Sequence, residues 1–178
     1  MKRSVLKVAA VMMLASCGNG GTTAPAAVHG TFNGKALNAQ DAYSFRIVFG
    51  SNIRTYVVIT DYANACNLEN TNARKPNTSA LSFSLSSSAL LDAGTLSLGG
   101  TGDPAFETAY YTGFDSSCNA SLNESAATGS VTLTNLDAST VDGTFDLGMA
   151  GGDHATGTFN AINCPYQAGT DAGAFTCN

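Results

Sequence analysis

The chain has 178 residues, 44% of them hydrophobic, with eight Lys and Arg against thirteen Asp and Glu and a formal net charge of −5. Basic residues this sparse speak against nucleic acid or an anionic bilayer held by charge, because both need clustered Lys and Arg. The length suits one domain with a core of ordinary size.

The chain opens with a cationic stretch, Met1-Lys2-Arg3-Ser4-Val5-Leu6-Lys7, followed by the apolar run Val8-Ala9-Ala10-Val11-Met12-Met13-Leu14. Seven apolar residues at about 1.5 Å each cannot cross a hydrocarbon core of roughly 30 Å, so the pattern reads as a secretory signal peptide over residues 1–16. Leu14-Ala15-Ser16-Cys17 resembles the lipobox of bacterial lipoproteins at all four positions. The resemblance implies cleavage after Ser16, a diacylglyceryl group on the Cys17 sulfur and an amide-linked acyl chain. Two or more chains hold a protein firmly on a membrane. Gly18 stands where Asp would signal inner-membrane retention, which implies outer-membrane sorting. Cleavage removes Lys2, Arg3 and Lys7, leaving five basic residues against thirteen acidic ones, a net charge of −8.

Residues 18–27 are small and uncharged and read, with Cys17, as a tether. A single domain is expected over 28–178. Asn33-Gly34 between Gly30-Thr31-Phe32 and Lys35-Ala36-Leu37 is a strong hairpin signal. Phe45–Phe49 and Tyr56–Ile59 are more continuously apolar and read as central strands. Asp61 is expected to cap a short helix running through Ala73, and Ser86–Leu91 to form another helical turn. Leu81–Leu85, Val131–Thr134, Val141–Leu147 and Ala155–Ala161 alternate apolar and polar residues, the period of strands with one face buried. Gly-Thr-Phe recurs at 30–32, 143–145 and 157–159 with irregular spacing, which excludes a solenoid and points to a curved sheet closing on itself. The expected fold is all-β: an antiparallel barrel or barrel-like sandwich of about eight or nine strands. The run from Gly129 to Cys164 resembles uncharacterised families of small β-rich bacterial lipoproteins, which supply no functional residue to carry over.

Apart from Cys17, four cysteines remain, and an even count in an exported chain reads as two disulfides with three connectivities open. Cys66–Cys118 with Cys164–Cys177 is favoured, because the second pair closes a C-terminal loop without reorganising the sheet. No Cys-x-x-Cys occurs, and neither His stands close to two cysteines, so no metal or other cofactor is expected.

Catalytic patterns are sparse. Gly-x-Ser-x-Gly is absent, and His29 and His154 read as exposed strand-end residues. Gly99-Gly100-Thr101-Gly102-Asp103 falls one residue short of a calcium repeat and reads as a loop. Asp103 with Glu107, and Asp142 with Asp146, are the carboxylate pairs open to acid–base chemistry, although exposed strand faces ordinarily just solvate such groups. Three Asn-x-Ser/Thr matches, at Asn77, Asn119 and Asn123, carry no weight in a bacterial chain. Tyr110-Tyr111, with Phe106, Phe114 and Tyr62, form an aromatic cluster. Tyr62, Tyr110 and Tyr111 are therefore the candidate ligand or partner surface. The functional expectation is a lipid-anchored envelope protein that acts as a non-enzymatic binding or structural module. Its alternatives are a lipocalin-like carrier of a small apolar ligand and a carboxylate-based hydrolase.

Overall fold

A computed structural model describes residues 25–165 and 175–178; the expected signal peptide, Cys17 and the expected tether as far as residue 24 lie outside them. Among the described residues, nine strands form one sheet: β1 (Ala26–Gly30), β2 (Asp41–Phe49), β3 (Asn52–Thr60), β5 (Ser79–Ser87), β6 (Gly94–Ser97), β7 (Ala105–Phe114), β8 (Ala120–Leu136), β9 (Thr140–Met149) and β10 (His154–Asn163). A short helix α1 (Ala65–Asn70) and a two-stranded ribbon of β4 (Ala73–Arg74) and β11 (Thr176–Cys177) complete the chain. β1 begins two residues before the expected start of the domain, and its Ala26 is buried.

Seven strands close a barrel in the order β2-β3-β5-β7-β8-β9-β10 and back to β2. Strands that alternate up and down cannot close a ring of odd number without one parallel pair. That pair is β10 with β2, in register at Ile162 opposite Tyr43 and Asn163 opposite Ser44. The expected purely antiparallel barrel is therefore corrected to a mixed one. β1 covers the rest of the β10 edge, and β6 covers the part of β8 beyond its pairing with β7. The barrel thus has seven strands and two fillers, and its shortest seam is the parallel one.

The alternation seen in the sequence is realised in β9, where Val141, Gly143, Phe145, Leu147 and Met149 point inward and are buried. The Gly-Thr-Phe repeats interlock there. Gly157 lies opposite Phe145, and Phe159 opposite Gly143. A Cβ on Gly157 would stand 2.6 Å from the Phe145 ring, and one on Gly143 would stand 2.7 Å from the Phe159 ring. Each glycine makes room for the aromatic ring across from it. Phe83 of β5 meets both rings, at 5.2 and 5.8 Å between centroids, and Phe106 edge-on at 6.0 Å. These four phenylalanines fill the middle of the barrel.

The Asn33-Gly34 hairpin forms as expected: Phe32 and Lys35 exchange both backbone hydrogen bonds, and Asn33 and Gly34 take φ of 48° and 71°. A primed turn of this kind requires positive φ at both central residues. The two helical expectations fare differently. α1 forms, but its first N–H, on Ala65, donates to Asp41 Oδ2 at 2.9 Å, while Asp61 accepts from the Ser79 N–H. Ser86 and Ser87 simply extend β5, and Leu91 turns into the core, so no helix forms at Ser86–Leu91.

Both disulfides form with connectivity other than the favoured one: Cys66 joins Cys164, and Cys118 joins Cys177. Closure of the barrel is the reason. The Cys164 N–H donates to the Ser44 carbonyl, which sets the end of β10 beside β2. There α1 packs on the outer face over Tyr43 and Val58, bringing Cys66 against Cys164. Pairing of β11 with β4 carries Cys177 to the β7–β8 turn that holds Cys118.

Candidate functional site

Outward-facing residues of β3, β5 and β7 form a polar surface. On β5 the outer positions are Ser82, Ser84 and Ser86, opposite Val58, Tyr56 and Arg54 of β3. Strands two apart in a sheet stand roughly 10 Å from each other. Short serines on the central strand, with longer side chains on both neighbours, leave a slot whose floor is β5. Arg54 and Tyr56 form one wall; Glu107, Thr108 and Tyr110 form the other.

A bulge sets the second wall. Register between β5 and β7 shifts at Ser84/Leu85, where Thr108 lies opposite Ser84 and Phe106 opposite Leu85. The extra residue is Glu107, and bulges commonly re-aim a side chain in this way. Its carboxylate accepts the Ser84 hydroxyl at 3.0 Å and meets Arg54 through two nitrogens, Nε at 3.0 Å and Nη2 at 3.2 Å. Burial pulls the Glu107 carboxyl upward. Hydrogen bonds from Ser86, Ser84 and Arg54 together outweigh that, and it sits below its usual value. Hydrogen bonding to Tyr56, then to Glu107, raises the pKa of the Arg54 guanidinium.

The Arg54–Glu107 pair divides the slot. Above it, a recess of about 500 Å³ is bounded by Phe49, Ser86, Ser88 and Asp103. Below it, one of about 350 Å³ is bounded by Tyr56, Ser82, Ser84 and Tyr110. Asp103 accepts hydrogen bonds from the Ser88 hydroxyl and N–H, and these lower its carboxyl pKa. Phe45 stacks on Tyr56 at 4.8 Å, and Tyr43 lies 6.2 Å beyond Phe45, so an aromatic row leads away from the slot toward α1.

The sequence candidates divide among separate places. Tyr110 is 46% exposed and belongs to the slot, whereas Tyr111 points inward, is 1% exposed and stacks on Phe32 at 4.6 Å. Tyr62 packs in the small cluster under α1, where burial and then the charge of Glu69 push its hydroxyl up to about 12. The three tyrosines therefore do not make one surface: neighbours on a strand face opposite ways. Asp103 and Glu107 do come together, around the upper recess. Asp142 instead binds Asn160 and Asn135 on the outer face of β9, and Asp146 pairs with the exposed His154 at 2.8 Å. His29 is also exposed. No group of three or more His, Cys, Asp and Glu fit to hold a metal occurs among the described residues.

Sequence reasoning missed Arg54, Tyr56 and the outward serines as parts of one site. The serine alternation was visible, but which strands flank β5 was not. It also missed Glu124, 8% exposed on an inward position of β8 opposite Tyr111, whose Oε1 accepts the Gly151 N–H at 3.0 Å. Comparison with known protein families, characterised proteins and solved structures finds no match to this chain.

Proposed function

We propose that the protein is a lipid-anchored, non-enzymatic binding module of the bacterial envelope, and that its outer slot takes a neutral, hydroxyl-rich ligand of the carbohydrate class. The signal-like start and Leu14-Ala15-Ser16-Cys17 support the anchor. The observation that carries the ligand class is the Arg54–Glu107 pair standing among serine hydroxyls, with Tyr56 and Tyr110 on either side. A sugar ring presents apolar C–H faces and a polar rim, which suits aromatic walls beside groups that both donate and accept. Arginine and glutamate already neutralise each other, so a charged ligand would have to break the pair.

Two features favour binding over chemistry. Glycoside hydrolysis needs one carboxyl held protonated at neutral pH by a raised pKa. Asp103 and Glu107 are both lowered, so neither is prepared to give a proton. A carrier of apolar ligands would need a hollow barrel, and this interior is occupied by Phe83, Phe106, Phe145 and Phe159.

The test is calorimetry of the purified protein against a panel of neutral and N-acetylated oligosaccharides, together with Tyr110→Ala and Arg54→Met. Saturable binding by the natural chain and its loss in both variants is the expected result. Binding that survives both substitutions, or none across the panel, overturns the ligand assignment. Intact mass of the envelope-extracted protein tests the anchor separately: acylated Cys17 as first residue supports it, and an uncleaved chain removes it.

A further inference from the structure

The barrel end at which β2 turns into β3 carries exposed apolar side chains. Val48 and Phe49 at the hairpin tip are 67% and 58% exposed, and Leu90 is 67% exposed. β5 runs toward this same end, since Ser87 lies opposite Ile53, and Ile53 opposite Val48. Leu90, three residues past Ser87, therefore stands at the end that bears the tip. Its neighbour Leu91 turns inward and is buried. Exposed large apolar side chains sharing one barrel end are the kind of feature that marks a contact surface.

Strand register gives the direction from which the N-terminal chain arrives. β1 is antiparallel to β10, and β10 meets β2 in parallel. The N-terminal end of β1 thus points the way β2 runs, toward Phe49. Pro25 is level with Asn160, whose N–H donates to the Pro25 carbonyl at 2.7 Å. Ile162 lies opposite Tyr43, and β2 continues from there to Phe49. About eight strand residues, roughly 26 Å, therefore separate Pro25 from the tip along the strands. Cys17 precedes Pro25 by eight residues, and an extended chain of eight residues spans at most about 29 Å. The two lengths agree, so an acylated Cys17 can draw this end down to the lipid surface with little slack.

We propose that Val48, Phe49 and Leu90 enter the interfacial zone of the membrane that carries the anchor, giving the domain a second, apolar foot. The proposal rests on the reading of Cys17 as the lipidated residue. It does not depend on anionic lipid: Arg46 and Arg54 lie behind the tip, but Arg54 is paired with Glu107, and Asp103 stands at the same end. Insertion of apolar side chains into the headgroup boundary is the driving contact. Phe49 also bounds the upper recess, so a domain seated this way presents the slot sideways, just above the lipid surface.

The chain contains no Trp, so Phe49→Trp gives a single unambiguous probe. Lipidated protein carrying Phe49→Trp is reconstituted into phosphatidylcholine vesicles with and without bromine high on the acyl chains. The expected result is a blue-shifted emission, strongly quenched by the brominated lipid, with Leu90→Trp behaving likewise. Lys35→Trp, at the opposite end, stays unshifted and unquenched. Intact mass keeps the two readings apart. Lipid on Cys17 with both tip probes unquenched overturns the foot and leaves the anchor standing. Absence of lipid removes the anchor and the foot together. A blue shift without bromine quenching that grows with protein concentration assigns the tip to self-association and overturns the proposal.

Discussion

The inner face of β9 and β10 and the outer face of β3, β5 and β7 follow the same two-residue alternation, yet one is filled and the other left open. Inside, every small residue meets a large one: Gly143 faces Phe159, and Gly157 faces Phe145. Outside, the small residues are gathered on one strand, so Ser82, Ser84 and Ser86 lie side by side with no ring placed over them. Small opposite large yields a packed core; small beside small, between longer neighbours, yields a slot. The first arrangement stabilises the fold and the second leaves room for a ligand. Disturbing the inside should therefore lower stability with little selectivity for binding, and disturbing the outside should do the reverse.

The largest effect is expected where the outer covering is tied covalently to the barrel. Replacing Cys66 and Cys164 by Ala reopens a span of 98 residues and should cost about 4–5 kcal/mol on the chain-entropy account. Urea denaturation measures this, and peptide mapping of the unreduced protein should recover Cys66–Cys164 and Cys118–Cys177. Next comes the core: Phe83→Ala removes the ring that touches Phe106, Phe145 and Phe159 and should cost about 4 kcal/mol. Gly157→Ala probes the interlock itself, because the added methyl meets the Phe145 ring and the Ala27 carbonyl; about 2–3 kcal/mol is expected. If it instead leaves the melt unchanged, the reciprocal fit between the two strands is wrong.

On the outer face the balance should invert. Ser82→Ala, at a half-buried outer serine whose hydroxyl lies 3.4 Å from the Tyr110 carbonyl, is expected to move stability by no more than about 0.5 kcal/mol. Loss of a hydrogen bond worth about 1 kcal/mol should still weaken oligosaccharide binding roughly fivefold. A pH titration sharpens the same point. Glu107 has a lowered pKa in the folded protein, so its contribution is present above the ordinary carboxylate value and is lost as pH falls through the lower, folded value. Binding should thus hold from neutral pH down to the ordinary carboxylate range and fail only in stronger acid. Failure already near neutrality would mean that another group governs the slot.

Much of this organisation was legible because it is local. The alternation in β9 and β10, the Asn33-Gly34 turn and the placing of His29 and His154 on the exposed side each depend on residues a few positions apart. Asp103 and Glu107, four apart, were visible as a pair for the same reason. Other expectations failed wherever a distant partner decided the outcome. Asp61 looked like the cap of α1, yet Asp41 takes that place from the neighbouring strand, and Asp61 holds the start of β5. Tyr110 and Tyr111 looked like one cluster, yet their strand sends them to opposite sides of the sheet.

By itself the sequence determined the class of fold, the two faces of the alternating strands β5, β9, β10 and the end of β8, the presence of two disulfides in the described domain and a start that resembles an exported lipoprotein. Tertiary structure alone decided which strands are neighbours, and with that the parallel seam of β10 and β2, the cysteine pairing and the slot between Arg54 and Tyr110. The physical reason is one of range. Side-chain alternation and turn chemistry act across two to four residues, whereas ring closure depends on hydrogen bonds between strands more than a hundred residues apart, such as Ile162 opposite Tyr43.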